Sequence, residues 1–79
     1  IKERKVLGAI SIAPIILANT KVLTGRRATV WPTLGKRLEW EGAIYTGIPV
    51  EVDGNIVTAN GPGAAEEFAK AVLRAIFQK

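Results

Sequence analysis

The 79-residue sequence contains no cysteine and no histidine. The first absence removes disulfide frameworks and thiolate metal sites, and the second removes most zinc and copper sites, so neither a metal nor a cofactor is expected. A complete Ser-His-Asp triad is also excluded within this chain, because any serine nucleophile would have to take its base from elsewhere. Aromatic residues make up 6% of the sequence. They are not interleaved with the basic residues, which are dispersed as Arg4-Lys5, Arg26-Arg27, Lys36-Arg37 and, near the end, Lys70, Arg74 and Lys79. The formal charge of +4 therefore makes no nucleic-acid site, and no such partner is expected. Long apolar runs are missing too. The stretch from Val6 to Ala18 is interrupted by Gly8, Ser11 and Pro14 and falls short of the ~20 apolar residues a bilayer requires, so no membrane partner is expected. Lys2, Arg4 and Lys5 ahead of that run have the order of a secretory signal, but cleavage would remove the longest apolar segment of the core, and a cytoplasmic protein is the expectation.

Present instead is an ordinary globular composition, 48% hydrophobic and 23% charged, which excludes disordered, collagen-like and coiled-coil classes. A domain of this size buries only roughly 60–65% of its unfolded surface, so a core built by this chain alone is marginal.

Lys5 to Ile10 is a continuous apolar run opened by a lysine, the pattern of a parallel strand buried on both faces. Pro14 suits the first turn of a short helix over 13–20. Thr24-Gly25 marks a turn, and Ala28 to Trp31 reads as a short strand stopped by Pro32. A helical turn is expected near Leu34–Leu38. Asp53-Gly54 between Pro49–Val52 and Asn55–Ala59 predicts a hairpin with a type I′ turn. After Asn60-Gly61-Pro62-Gly63, apolar residues at 65, 68, 69, 72, 73 and 76 share one face of a helix over 64–79. Glu66 and Glu67 suit its N-terminal end, and Glu66, Lys70 and Arg74 stand four apart.

This inventory does not close on itself. One amphipathic helix cannot cover both faces of a parallel sheet, and a parallel strand without a parallel neighbour leaves backbone groups unpaired. The chain is expected to be the carboxyl half of a larger three-layer domain, with the amino half supplied by a second chain or a further segment.

The turn Ala9-Ile10-Ser11-Ile12-Ala13 places a hydroxyl between strand and helix, with small residues two before and two after it. That spacing matches the nucleophile elbow G-x-S-x-G with alanine for both glycines, a turn too sharp for larger side chains there. The residues alone leave two readings open: Ser11 as an elbow nucleophile, or Ser11 as a small polar residue capping the helix. Asn60-Gly61-Pro62-Gly63 lacks the full phosphate-loop patterns and reads as a strand-to-helix connector. Glu39 and Glu41, flanking Trp40, read as a solvated loop.

Ala9-Ile10-Ser11-Ile12-Ala13-Pro14, Leu17-Ala18, Gly25-Arg26-Arg27-Ala28-Thr29, Val52-Asp53-Gly54-Asn55-Ile56-Val57-Thr58-Ala59-Asn60-Gly61-Pro62 and Glu67-Phe68-Ala69 together resemble the C-terminal half of the ThiJ/PfpI family. The resemblance implies an α/β fold like that of class I glutamine amidotransferases. This is a flavodoxin-like three-layer sandwich with a mostly parallel sheet, here carrying a β-hairpin and a terminal amphipathic helix. It implies hydrolase, glyoxalase, deglycase or chaperone-like roles, a small carbonyl compound or peptide as substrate, and a homo-oligomer. It further implies that Ser11 stands at the position of a reactive cysteine served by a carboxylic acid from the amino half. The backbone at Ile12 would then help hold a developing oxyanion, and Trp31 and Pro32 would line the pocket lip. Ile12 and Trp31 stand where some members carry histidine, which points away from the peptidase branch. Serine is far less ionised than a thiol near neutral pH and cannot follow the cysteine oxidation ladder. The alternative is therefore a non-catalytic binding or chaperone-like member that has lost its nucleophile.

Overall fold

The computed structural model describes residues 6–77. The expectations for Lys2, Arg4, Lys5 and Lys79 lie outside those residues.

Strand β1 (Leu7–Ile10) leads into helix α1 (Ala13–Asn19), where Pro14 occupies the first turn and is buried. The chain then leaves α1 through Lys21, which takes a left-handed φ of 68° and donates its N–H to Ala18 O at 2.9 Å. Strand β2 (Arg27–Ala28) follows, then a single 3-10 turn at Pro32–Leu34 and helix α2 (Gly35–Trp40). Strand β3 (Ile44–Tyr45) pairs in parallel with β2. Strands β4 (Val50–Asp53) and β5 (Ile56–Ala59) form an antiparallel hairpin, and a 3-10 turn at Pro62–Ala64 opens helix α3 (Ala65–Phe77).

β5 lies centrally between β1, its parallel neighbour, and β4. All four β5 residues are buried. Alternation along the strand then sorts the layers. Gly8 and Val57, paired in register, face α3, and a Cβ on Gly8 would stand 3.1 Å from Phe68 Cζ and 3.4 Å from Val72 Cγ2. Glycine thus permits the close approach of helix to strand. Ile56 faces the opposite way, into a core of Ala18, Leu23, Ala28, Val30, Leu38 and Ala43 contributed by α1, α2 and the β2–β3 region. The result is a mixed α/β fold with helices on both faces of a mostly parallel sheet. No helix among the described residues is long and apolar enough to cross a membrane.

Several local expectations are corrected. β1 is not buried on both faces: Leu7 and Gly8 are exposed, because among the described residues β1 pairs with β5 alone. The strand expected over Ala28–Trp31 is shorter and begins one residue earlier. Past Ala28 the backbone turns from ladder bonds to other partners: the Thr29 N–H donates to Thr58 Oγ1 at 2.9 Å, and the Trp31 N–H to Ser11 O at 2.8 Å. The hairpin has Gly54-Asn55 as its two-residue loop, since Asp53 pairs with Ile56, and the positive φ is at Gly54 alone, so the turn is not type I′. Asp53 stays in the ladder because its carboxylate accepts the Arg27 N–H at 2.7 Å and lies beside the Arg26 guanidinium. Glu39 is not in a loop but belongs to α2; Glu41 does lie in the turn after the helix, where it pairs with Arg37 at 3.2 Å and Lys21 at 3.7 Å.

Candidate functional site

β1 and β5 run parallel and end together at Ile10 and Ala59. In open α/β sheets such carboxyl ends are where ligands bind. Ser11 is the next residue after β1, with φ at 68°. An L-residue in this left-handed region costs about 1–2 kcal/mol, and such strain persists where the surroundings over-determine it. Here two hydrogen bonds fix the peptide units on either side. The Ser11 N–H donates to Ala59 O at 3.0 Å, and Ser11 O accepts the Trp31 N–H at 2.8 Å.

The residue capping α1 is Ile12, and no side chain makes a capping hydrogen bond there. Of the two readings of Ser11, the helix cap is thus not what the geometry displays. Ser11 instead sits in a sharp strand-to-helix turn of the kind a nucleophile elbow requires. Ile12 follows it with an exposed side chain, while the backbone turns into the helix at φ −95° and ψ −12°.

The two hydrogen-bond partners of Ser11 carry the walls of a cleft. On one side the chain continues from Trp31 into Pro32 and Thr33; on the other it continues from Ala59 into Asn60, Gly61 and Gly63. These six residues line a cleft of about 270 Å³. Of the residues singled out from the sequence, Trp31 and Pro32 line this cleft, whereas Ser11 and Ile12 are not among its lining residues; the backbone bond from the Trp31 N–H to Ser11 O links the turn to the cleft wall. Asn60-Gly61-Pro62-Gly63 is a connector, as expected, but it also forms a wall. The signal for that second role is Gly61. Its φ of 163° is extended and needs no glycine, yet a Cβ there would lie 2.8 Å from Trp31 Cζ3 and 2.9 Å from Cε3. The indole rests against the Gly61 backbone.

Two residues before Trp31 and Asn60 in the sequence, Thr29 and Thr58 are fully buried. Thr58 Oγ1 accepts the Thr29 N–H, while the Thr29 hydroxyl has no protein partner. Sequence reasoning did not single out this pair. A larger cleft of about 520 Å³ lies between β4 and α3, lined by Val52, Ala71, Arg74, Ala75 and Phe77. Among the described residues, Arg74 is the one charged group lining it, and they form no reacting constellation there.

The charged groups that do cluster join β2 to the hairpin. Arg27 Nε lies 3.2 Å from Glu51 Oε2, Arg27 Nη2 donates to Val52 O at 2.9 Å, and Arg26 Nη2 donates to Asp53 O at 2.9 Å. The Arg27 backbone N–H, with the Arg26 side chain and both guanidinium charges, holds the Asp53 carboxyl below its ordinary range against partial burial. This clasp fixes the sheet edge and stands apart from the Ser11 turn in sequence and in its partners.

A mostly parallel sheet with helices on both faces, and a residue held left-handed in the turn after β1, places the chain in the mixed α/β class. Within that class the chain belongs to the DJ-1/PfpI family, whose sequence profile matches residues 1–75. It is 42% identical over 76 residues to a protein of Methanocaldococcus jannaschii, covering 94% of this chain and 37% of that one. It is 33% identical over 73 residues to the Drosophila melanogaster protein dj-1beta, covering 92% and 39%. Among solved structures, a ThiJ/PfpI domain protein from Brachyspira murdochii superposes with a TM-score of 0.87 at 33% identity, covering 91% of this chain and 42% of that one. Schizosaccharomyces pombe DJ-1 superposes with a TM-score of 0.81 at 32% identity, covering 99% and 40%. The chain thus spans about two fifths of the length of these relatives.

Proposed function

We propose that this chain is the carboxyl part of a DJ-1/PfpI domain in which Ser11 acts as the nucleophile toward small carbonyl or acyl compounds, in the manner of a hydrolase. The observation that supports the reading is the left-handed Ser11 turn at the carboxyl end of β1, tied on both sides and making no helix cap.

In such a step the Ser11 Oγ attacks the carbonyl carbon while its proton passes to a base. The carbonyl oxygen takes the electron pair and is held by backbone donors, among them the N–H of Ile12, the residue after the nucleophile. Collapse of the intermediate expels the leaving group with a proton, and water then hydrolyses the ester on Ser11. No histidine exists in the sequence, so the base is a group from the remainder of the domain, which by resemblance is a carboxylic acid. That remainder, as a second chain or a further segment, also pairs with the open edge of β1, and the completed domain forms a cytoplasmic homo-oligomer.

The test is a Ser11→Cys variant of the intact protein. An elbow supplies the thiol with an environment that favours its anion, so the thiol titrates clearly below the ordinary value of about 8.5. A thiol titrating like a free cysteine contradicts the elbow assignment.

A second reading, a non-catalytic binding or chaperone-like member, is favoured by the absence of cysteine and histidine and by Trp31 where the resemblance places a histidine. Turnover of a carbonyl, peptide or glutamine substrate by the intact protein, abolished in Ser11→Ala, excludes it.

A further inference from the structure

The cleft whose wall residue Trp31 is bonded through its backbone N–H to Ser11 O has one wall of indole. Trp31 is 42% exposed, while the six-membered edge of its ring system lies against Gly61. A tryptophan held by its backbone to the candidate nucleophile and by its ring to a glycine is pre-positioned, so little side-chain entropy is lost when a ligand packs on it. The remaining lining is Pro32, Gly61 and Gly63, with the Asn60 amide and the Thr33 hydroxyl as its polar groups and no charged residue. A volume of about 270 Å³ exceeds the roughly 150 Å³ of a cavity that holds benzene. It accommodates a single ring with a small polar substituent.

We infer that this cleft is a subsite for a planar aromatic group, with Trp31 as its stacking wall, and that the compounds presented to Ser11 are aryl-substituted carbonyl or acyl compounds. The placing of the subsite next to a reacting centre rests on the Ser11 reading; the aromatic preference rests on Trp31 and Gly61. Gly61 is the positioning residue, because any side chain there displaces the indole.

The experiment is a binding titration of the intact protein with benzamide and with cyclohexanecarboxamide, followed by NMR at the tryptophan indole N–H resonances, those of Trp31 and Trp40 among them. The Trp31 signal is assigned by its loss in Trp31→Phe. Benzamide shifts the Trp31 resonance and binds about 3- to 10-fold more tightly than its saturated analogue, the range expected for a favourable ring pair. Trp31→Phe keeps most of that preference. Trp31→Ala removes it, and so does Gly61→Ala, which retains the indole but shifts it. Equal affinity for the two amides, a shift confined to Trp40, or no binding of either compound overturns the inference. A protein that binds benzamide in this way but fails the Ser11→Cys titration keeps the subsite and loses the nucleophile, whereas the reverse result keeps the nucleophile and loses the subsite.

Discussion

Two L-residues among the described ones hold left-handed backbone, Ser11 and Lys21, both at φ 68°, and their settings differ. Lys21 follows the end of α1, a position where glycine is the usual residue. Replacing either by glycine relieves about 1–2 kcal/mol of local strain, offset by the roughly 0.5–1 kcal/mol of extra freedom glycine has when unfolded. Urea denaturation of the intact protein is therefore expected to show Lys21→Gly and Ser11→Gly each stabilised by up to about 1 kcal/mol. The account differs for the two in function: Ser11→Gly gains stability and loses activity, while Lys21→Gly keeps activity. Unchanged or lower stability in both variants contradicts the reading of strain. Thr29 offers a second check at this scale. Its buried hydroxyl lacks a partner, so Thr29→Val, which preserves shape, is expected to be neutral or stabilising by about 1 kcal/mol in the same measurement; a loss above ~1 kcal/mol would reveal a bond that the geometry does not contain.

Among the elements, helix α2 and the hairpin make the sharpest predictions. Alanine is ordinarily better than glycine inside a helix. At Gly35, however, a Cβ would overlap the Tyr45 ring, standing 2.7 Å from its Cζ. Gly35→Ala is thus expected to destabilise by about 1–3 kcal/mol in thermal or urea unfolding, and a stabilised variant contradicts the packing of Tyr45 over α2. The arginine clasp carries a pH signature. Because the folded-state carboxyl of Asp53 is held below its unfolded value of about 3.9, its contribution is present above that value and disappears as the pH falls through the lower folded value. Unfolding free energy measured between pH 6 and pH 3 should therefore fall less steeply below about pH 4 in Asp53→Asn than in the parent protein. Identical slopes contradict the clasp. The same carboxylate explains why the hairpin loop was misplaced by one residue in the sequence reading. Asp53-Gly54 is a strong turn pair taken alone, and the Arg26-Arg27 contacts that keep Asp53 in the ladder come from residues 26 and 27 positions away. β3 escaped the reading for a related reason. Two residues have no periodicity, and the strand exists because Gly42 turns the chain at φ 100° and the Ile44 N–H reaches Arg26 O at 2.9 Å. By contrast, α1, β5 and α3 were legible, since proline placement, an apolar run and 3.6-residue periodicity are each local signals.

For the molecule as a whole, the sequence reading expects elements that do not close a core, and several large apolar side chains are exposed. Leu73 and Ile76 belong to the apolar face read from the sequence, yet they are exposed, as is Phe77 beside them, to 74%. The buried or half-buried side of α3 is formed by Phe68, Ala71, Val72 and Ala75. Produced alone, the 79-residue chain is therefore expected to bind ANS and the intact protein not to; an ANS-silent chain contradicts the proposal that a further part of the domain completes it. The candidate site was readable in part. The Ser11 spacing and the Trp31-Pro32 lip came from sequence, but the Gly61 wall did not, because its glycine answers to a ring thirty residues earlier and not to its own backbone.

Whether Ser11 is an activated nucleophile is read from the reaction of the intact protein with a fluorophosphonate probe, followed by intact mass and peptide mapping. The account predicts a single phosphonyl adduct on Ser11 that forms in the folded protein, is lost on unfolding and is absent in Ser11→Ala. A folded protein that remains unlabelled, or labels equally on several serines and threonines, contradicts it.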